Sequence, residues 1–487
     1  MVRIRRGRLL SLCLVAAWIA TAWWQAHKPL PAGTHVASAV CAVPADEVSF
    51  IADITAADAW GRAVVSQGIF DQVLDVVRQA RRFIVLDYSL FAGTAAASAP
   101  QRRIAAELSD ALLARRRALP DLKVLFITDP VNEGYGAAPS AQLQLLRDGG
   151  VEVVVTDLDA LRDSNLLYSS LWRLALRWWD TPARPLGVET RRLNFKADHR
   201  KVLVADDGRG GLAAVVASAN PHDAESAWSN AAARVSGAAL ASLLASELAV
   251  ARFSGWRGHG DAYSPAPASA PGPAPDCAAD SAAGLAAGSS ARVQVLTEGA
   301  IRAALLEHVA AAGRGDSIDV AMFHLADNGV AEALLAAARR GVGVRLILDP
   351  NEDATTGSSG IPNQPVASEL VARGGGAIHV RWYRTHGERF HDALVMIYGP
   401  QRLWLTLGSA NLTRRALNDY NLEANLAIEV ARSAPLAQQV LGYFDTLWSN
   451  RAALGIEYTA DFAVFANPAQ SDYWLCRLME GVGLSWF

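Results

Sequence analysis

His199, Lys201 and Asp206 stand as H-x-K-x4-D around the apolar run Val202-Leu203-Val204-Ala205. On an extended strand, alternation throws His199 and Lys201 to one face. An imidazole titrating near pH 6.5 can act as a nucleophile or carry a proton, and an ammonium beside it can hold an anion. Twelve residues after Asp206 comes Ser218-Ala219-Asn220, which ends a second apolar run, Ala213 to Ala217. The layout returns later in the chain as Phe390-His391-Asp392-Ala393 running to Tyr398, then Gly408-Ser409-Ala410-Asn411. His199 precedes Asn220 by 21 residues and His391 precedes Asn411 by 20.

This pattern resembles the phospholipase D superfamily, whose members carry H-x-K-x4-D with a downstream G-S-x-N twice. The resemblance covers the chain from about residue 46 onward. The first copy departs from the family only in Ala217, which stands for Gly. The second has Ala393 in place of Lys and Tyr398 in place of Asp, with Gly408-Ser409-x-Asn411 intact. The resemblance implies phosphodiester chemistry without a metal or other cofactor. One imidazole attacks phosphorus, the other protonates the leaving oxygen, and water or another alcohol then resolves a phosphohistidine. Carried over by position, His199 is the nucleophile and His391 the general acid. Lys201, Ser218, Asn220, Ser409 and Asn411 hold the non-bridging oxygens. Asp206 is a structural partner. Glu423, twelve residues after Asn411, resembles the family carboxylate that orients a histidine; the same count from Asn220 reaches Ala232.

Loss of one preorganised donor costs on the order of 10²–10³ in rate, and Ala393 removes a charge as well. Arg384, Arg389, Arg414 or Arg415 is within sequence reach to supply one, although a guanidinium fork differs from an ammonium point charge. The expected activity is therefore a phosphodiesterase or phosphatidyltransferase on phospholipids. A binding protein with this fold and no turnover is a second reading, and a nuclease of the same superfamily a third. His386-x-Glu388-x-x-His391 is a weak metal pattern, and no metal site is expected.

The elements that position these residues repeat. Arg82–Phe91 and Ser317–Leu325 read as buried strands, each followed by a helix with apolar spacing of three and four. Two further strands end on Asp-Pro, at Asp129-Pro130 and Asp349-Pro350, and another helix and strand follow in each half. This alternation predicts an α/β fold of two similar βαβ halves. Each has a mostly parallel sheet flanked by helices, and both share one active site at their interface. A Pro/Ala/Gly/Ser-rich tract divides them. The expected units are an anchor and tether at 1–40, a first half at 46–260, a linker at 261–291 and a second half at 292–487. From Asp129 to His199 is 70 residues but from Asp349 to His391 only 42, so the first half carries an insertion of about 28. Much of it is Leu166 to Trp179, rich in Leu and Trp. Packing within the fold is the favoured reading, and a membrane-facing lip the alternative. The apolar closing stretch, Tyr473 to Phe487, could pack on the core or on a membrane.

Arg3, Arg5, Arg6 and Arg8 precede an apolar run, Leu9 to Trp24. A basic segment before an apolar one is export logic and places the body outside the cytoplasm. A retained anchor is favoured over cleavage near Ala20-Thr21-Ala22. The expected location is a bacterial inner membrane, facing the periplasm, or export. With 51% hydrophobic and 19% charged residues the chain is globular, and a net charge of −3 gives no general attraction to nucleic acid. The expected partners are phospholipid and membrane, for a monomer with internal pseudo-twofold symmetry. Only four residues are Lys, so a Lys at motif position 201 is informative. Cys41, Cys277 and Cys476 show no metal-like spacing; one disulfide among them, or free thiols, both stay open.

Overall fold

The computed structural model describes residues 2–93, 101–180, 186–264, 277, 282–353, 358–451 and 455–485. Most of the predicted linker, and Trp486 and Phe487 of the closing stretch, lie outside the described residues. Helix α1 (Val2–His27) leads into β1 (Cys41–Pro44). The first half then contains β2 (Val48–Ala57), β3 (Ala63–Ser66), α2 (Ile69–Gln79), β4 (Phe83–Tyr88), α3 (Ile104–Ala118), β5 (Lys123–Thr128), α4 (Ala141–Asp148) and β6 (Glu152–Val155). After α5 (Leu166–Leu174) and α6 (Val188–Arg192) come β7 (Lys201–Asp206), β8 (Leu212–Ala217), β9 (Asn230–Ser236) and α7 (Ala241–Phe253).

The short α8 (Ala282–Ala286) precedes the second half. It runs β10 (Ser290–Thr297), α9 (Gly299–Ala311), β11 (Ser317–Met322), α10 (Asn328–Arg339) and β12 (Gly343–Leu348). A small pairing of β13 (Glu352–Asp353) with β14 (Ser358–Ser359) follows, then α11 (Asn363–Arg373), β15 (Ile378–Tyr383), β16 (Ala393–Tyr398) and β17 (Arg402–Gly408). The chain closes with α12 (Arg414–Leu417), β18 (Ala424–Ala431), α13 (Pro435–Ser449), β19 (Thr459–Asp461) and α14 (Gln470–Val482).

The strand order is β3-β2-β9-β8-β7-β4-β5-β6 in the first sheet and β1-β10-β18-β17-β16-β11-β12-β15-β19 in the second. Both sheets are mixed, which corrects the expectation of mostly parallel sheets. Only β4-β5-β6 and β11-β12-β15 run parallel. The reason is local. Helical crossovers α3, α4, α10 and α11 link these parallel neighbours in sequence, whereas β7-β8-β9 and β16-β17-β18 reverse through loops and the short α12 and pair antiparallel. In the β7–β8 turn, the Asp207 carboxylate accepts the amides of Arg209 and Gly211 and closes the hairpin.

The central strands are buried on both faces, which explains their unbroken apolar runs. Ile84 and Leu86 of β4 pack outward on Ile69, Val73 and Val77 of α2. Val85, Val204 and Val216 point inward, into one core shared with Val295, Leu405 and Ile428 of the second sheet and with Val440 and Phe444 of α13. The halves are thus fused through a common interior. The N-terminal segment adds to this: β1 pairs antiparallel with β10 of the second sheet, and a disulfide joins Cys41 to Cys277. That bond suits an oxidising compartment.

Candidate active site

His199 and His391 each lie two residues before a central strand, where the chain crosses to the opposite half. Leu422 donates its amide to Ala197 and accepts that of His199, both at 2.9 Å. In the mirrored place Ser229 donates to Arg389 at 3.0 Å and accepts the amide of His391 at 2.8 Å. The Asp-Pro strand ends now acquire a purpose. Asp129 Oδ2 accepts the amide of Asp198, and Asp349 Oδ2 that of Phe390, each at 2.8 Å. A buried carboxylate therefore pins the peptide immediately before each histidine. Burial raises both carboxyls, Asp129 to about 7 and Asp349 to about 6.

The side-chain partners cross halves as well, but they differ in charge. With its ring proton on Nδ1, His199 donates to Glu423, whose Oε1 and Oε2 lie 3.1 and 3.0 Å away. Glu423 is fully buried and also accepts from Ser409 Oγ at 2.5 Å and Asn421 Nδ2 at 3.1 Å. Burial pushes the Glu423 carboxyl up to about 8, against the charge of Lys201. His199 is held neutral by burial and by the charges of Lys201 and Arg415. A neutral ring protonated at Nδ1 leaves Nε2 with its lone pair.

His391 Nδ1 instead faces Asn230 Oδ1 at 3.1 Å. Asn230 accepts from Ser218 Oγ at 2.9 Å, as Glu423 does from Ser409. An amide orients the ring but cannot offset an imidazolium charge. Burial, then Lys201, His199, His324 and Arg389, push His391 well below its ordinary value. Negative charge placed beside the ring would oppose that bias.

The remaining sequence-predicted residues fall into three places. Lys201 is buried in the site, donating to the His199 carbonyl at 2.9 Å, and burial lowers it to about 8. Ser218 and Ser409 give their hydroxyl protons to Asn230 and Glu423, so as the site stands neither offers one to a substrate oxygen. Asn220 Oδ1 accepts the amide of Leu90 and its Nδ2 donates to Glu225, while Asn411 Oδ1 accepts the amide of His324. Asp206 is remote, at the far end of β7, where it receives the amides of Arg81, Arg82, Phe83 and Gly208. Tyr398 occupies the matching end of β16 and donates to Asp319 at 2.9 Å, beside Arg345. The change from Asp to Tyr therefore falls at the far end of β16, away from the histidines.

Ala393 is a real gap in the charge around the histidines. Arg389 lies over the rings of Trp228 and Phe323, at 4.9 and 5.6 Å, and its charge acts on His391 and His324. Arg415 acts on His199. The other two candidates are engaged elsewhere: Arg384 with Glu457, and Arg414 with Ser164 and Tyr420.

Three features escaped the sequence reading. Asn230 was hidden because the span from Ser218 to its partner is 12 residues, against 14 from Ser409 to Glu423. His324 adds a third imidazole, on the loop after β11, where the first half has Leu90. Burial and the charges of Arg389, His199 and Arg415 lower it to about 3. Arg200, between His199 and Lys201, points the other way and is fully buried. It pairs with Glu247 at 3.1 Å and with Glu298 of the second half at 2.7 Å. Among the described residues, no group of three or more His, Cys, Asp or Glu is placed to hold a metal ion.

Comparison with known proteins agrees with this geometry. The family model described as "Cardiolipin synthase, PLD-like domain" matches residues 305–448. No curated protein matches the sequence. Among solved structures, the phosphatidylserine synthase of Haemophilus influenzae Rd KW20 superposes with a TM-score of 0.54 at 11% identity, covering 91% of this chain and 95% of that one. A polyphosphate kinase from Porphyromonas gingivalis gives 0.45 at 12% identity over 90% of this chain and 53% of that one. A phospholipase D family member from Salmonella typhimurium, Nuc, gives 0.26 at 21% identity over 35% and 97%. The first of these establishes a common fold, and the other two are too distant to argue from. The chain thus carries a stretch similar to the phospholipase D-like domain of cardiolipin synthases in its second half, and it shares a fold with the phosphatidylserine synthase over both halves.

Proposed function

We propose that this protein is a phosphodiesterase or phosphatidyltransferase acting on phospholipids through a phosphohistidine, with one site built by both halves. The observation that carries this reading is the crossed pairing of His199 with Glu423 and His391 with Asn230, over a seam that also holds Lys201. The match to a cardiolipin synthase domain supports a phospholipid as substrate.

In this reading His199 Nε2 attacks phosphorus and a P–N bond forms as the P–O bond to the leaving alcohol breaks. His391, protonated once the anionic substrate is bound, gives its proton to that oxygen. Water or a second alcohol then attacks phosphorus, losing its proton to His391, and the P–N bond breaks. Lys201, Asn220 and Asn411 hold the non-bridging oxygens, with Arg389 and Arg415 supplying the charge that Ala393 lacks and the neutral His324 a hydrogen bond. Ser218 and Ser409 act on the histidines through Asn230 and Glu423. Neutral Nε2 on His199, backed by an ionisable carboxyl, suits the nucleophile.

The test is turnover of a panel of labelled phospholipids by the full chain, with products separated into phosphatidic acid and transphosphatidylation products. Loss of both in His199→Ala and in His391→Ala is expected. Wild-type binding of anionic lipid with no product would instead favour the second reading, a lipid- or phosphate-binding protein, which Ala393 and the uncharged Asn230 motivate.

A further inference from the structure

Two helices in this molecule expose a face of large apolar side chains while turning charged or polar ones inward. In α5, Leu167, Leu171 and Leu174 recur at spacings of four and three, which makes one face, and that face is exposed. Ser169 and Ser170 are buried, and Arg173 turns inward to Asp163. Trp178 and Trp179 continue the apolar face at 77% and 68% exposure. In α14, Trp474, Leu475 and Leu478 are exposed while Arg477 turns in toward Glu369 and Glu480 is buried. Trp172, Cys476 and Met479 are buried as well, but an apolar patch of this size on adjoining helices is unusual against water.

The end of α14 adjoins the start of α5, and α1 lies against α5. Arg414 donates its amide to Glu480 of α14 and its guanidinium to Ser164, just before α5. Helix α1 docks on α5: Trp18 Nε1 donates to the Leu167 carbonyl at 3.1 Å, and Asp163 donates its amide to Gln25. Arg8–His27 of α1 is 20 residues long and apolar enough to cross a membrane. At 1.5 Å per residue, Trp18 lies about 14 Å along the axis from His27, roughly the depth of one leaflet. The same corner holds the chemistry, since Arg414 adjoins Arg415, whose charge reaches His199.

We propose that α5 and α14 are seated in the outer leaflet of the bilayer that α1 crosses, so that the cleft opens onto the lipid surface and takes its phosphodiester from that same membrane. The choice of lipid as occupant rests on α1, which is laid along α5 as a spanning helix would be. The supply of substrate from that leaflet rests on the function proposed above; the seating itself does not.

The full chain would be placed in vesicles of phosphatidylglycerol and phosphatidylethanolamine with a photoreactive benzoylphenylalanine at Leu171 or at Leu478. Leu145, exposed near the end of α4 that points away from the cleft, is the control position, and Val15 in α1 the positive one. Covalent lipid adducts at 171 and 478 but not at 145 are the expected result. Adducts at 15 alone would overturn the seating, leaving an anchor and nothing more, and protein–protein adducts at 171 would replace the leaflet with a second copy of the chain. Leu171→Gln combined with Leu478→Gln should lower turnover of vesicle lipid at least about tenfold while leaving a soluble short-chain diester unaffected. If the wild type turns over neither substrate, the function fails but the adduct pattern still decides the seating.

Discussion

His199 and His391 have matching backbone supports but unlike partners, a carboxylate for one and an amide for the other. The proposed choice of nucleophile rests on that difference and can be tested by exchange. Glu423→Gln should lower kcat about 10- to 100-fold with little change in KM, because it replaces the ionisable carboxyl behind His199 with an amide and leaves substrate contacts in place. Asn230→Asp should act through pH. A carboxylate beside His391 favours its imidazolium, so its pKa rises and the proton needed by the leaving group survives to higher pH. The alkaline limb of the kcat profile should move up by about one pH unit; an unchanged or lowered limb would remove His391 from the acid's role. Affinity for inorganic phosphate, measured by calorimetry, should fall as pH rises through about 8, where Lys201 loses its charge. His324→Ala should weaken that affinity about tenfold, and Ala393→Lys in the same chain should restore it. The spacing of the motif residues made His199, Lys201, His391 and the Asn pair legible from sequence. Asn230 and His324 were not, because one sits at an offset that differs between the halves and the other at a loop position where the two halves carry different residues.

Among the elements, β7 and β16 position the site by what holds them as much as by what they carry. Arg200 reaches from the start of β7 to Glu247 on α7 and Glu298 ahead of α9, so one side chain ties both halves together behind His199. Arg200→Met should destabilise the fold by about 3–5 kcal/mol, because it leaves two buried carboxylates without their cation, and denaturant unfolding would measure it. Tyr398→Phe should cost only about 1 kcal/mol and leave turnover intact, since its hydroxyl serves Asp319 at the far end of β16. A large loss of activity in that variant would bring Tyr398 back into the chemistry. The alternation of strand and helix up to β6 and β15 could be read from apolar runs and helical spacing. The antiparallel course of the strands that follow could not, because an apolar run buried on both faces looks the same in either direction.

At the scale of the molecule, each half contributes the backbone and side-chain supports of the other's histidine, and the two sheets share one interior. Neither half is complete alone. The disulfide from Cys41 to Cys277 closes this arrangement across the junction between the halves. Reductant should therefore lower the midpoint of thermal unfolding, by an amount corresponding to about 2–5 kcal/mol. A repeat could be recognised in the sequence, but not the crossing of its supports, since that depends on residues 160 or more positions apart, His199 and Glu423, and His391 and Asn230, among them.

The central claim is that a histidine of the first half, primed by a carboxylate of the second, becomes covalently phosphorylated. The full chain would be incubated with a phospholipid panel labelled at the phosphate, quenched in alkali, where phosphohistidine survives, and digested to locate the label. Label on the peptide containing His199, absent in His199→Ala and much reduced in Glu423→Gln, is the predicted result. Label that persists in His199→Ala, or turnover of the panel with no label on any histidine peptide, would contradict it.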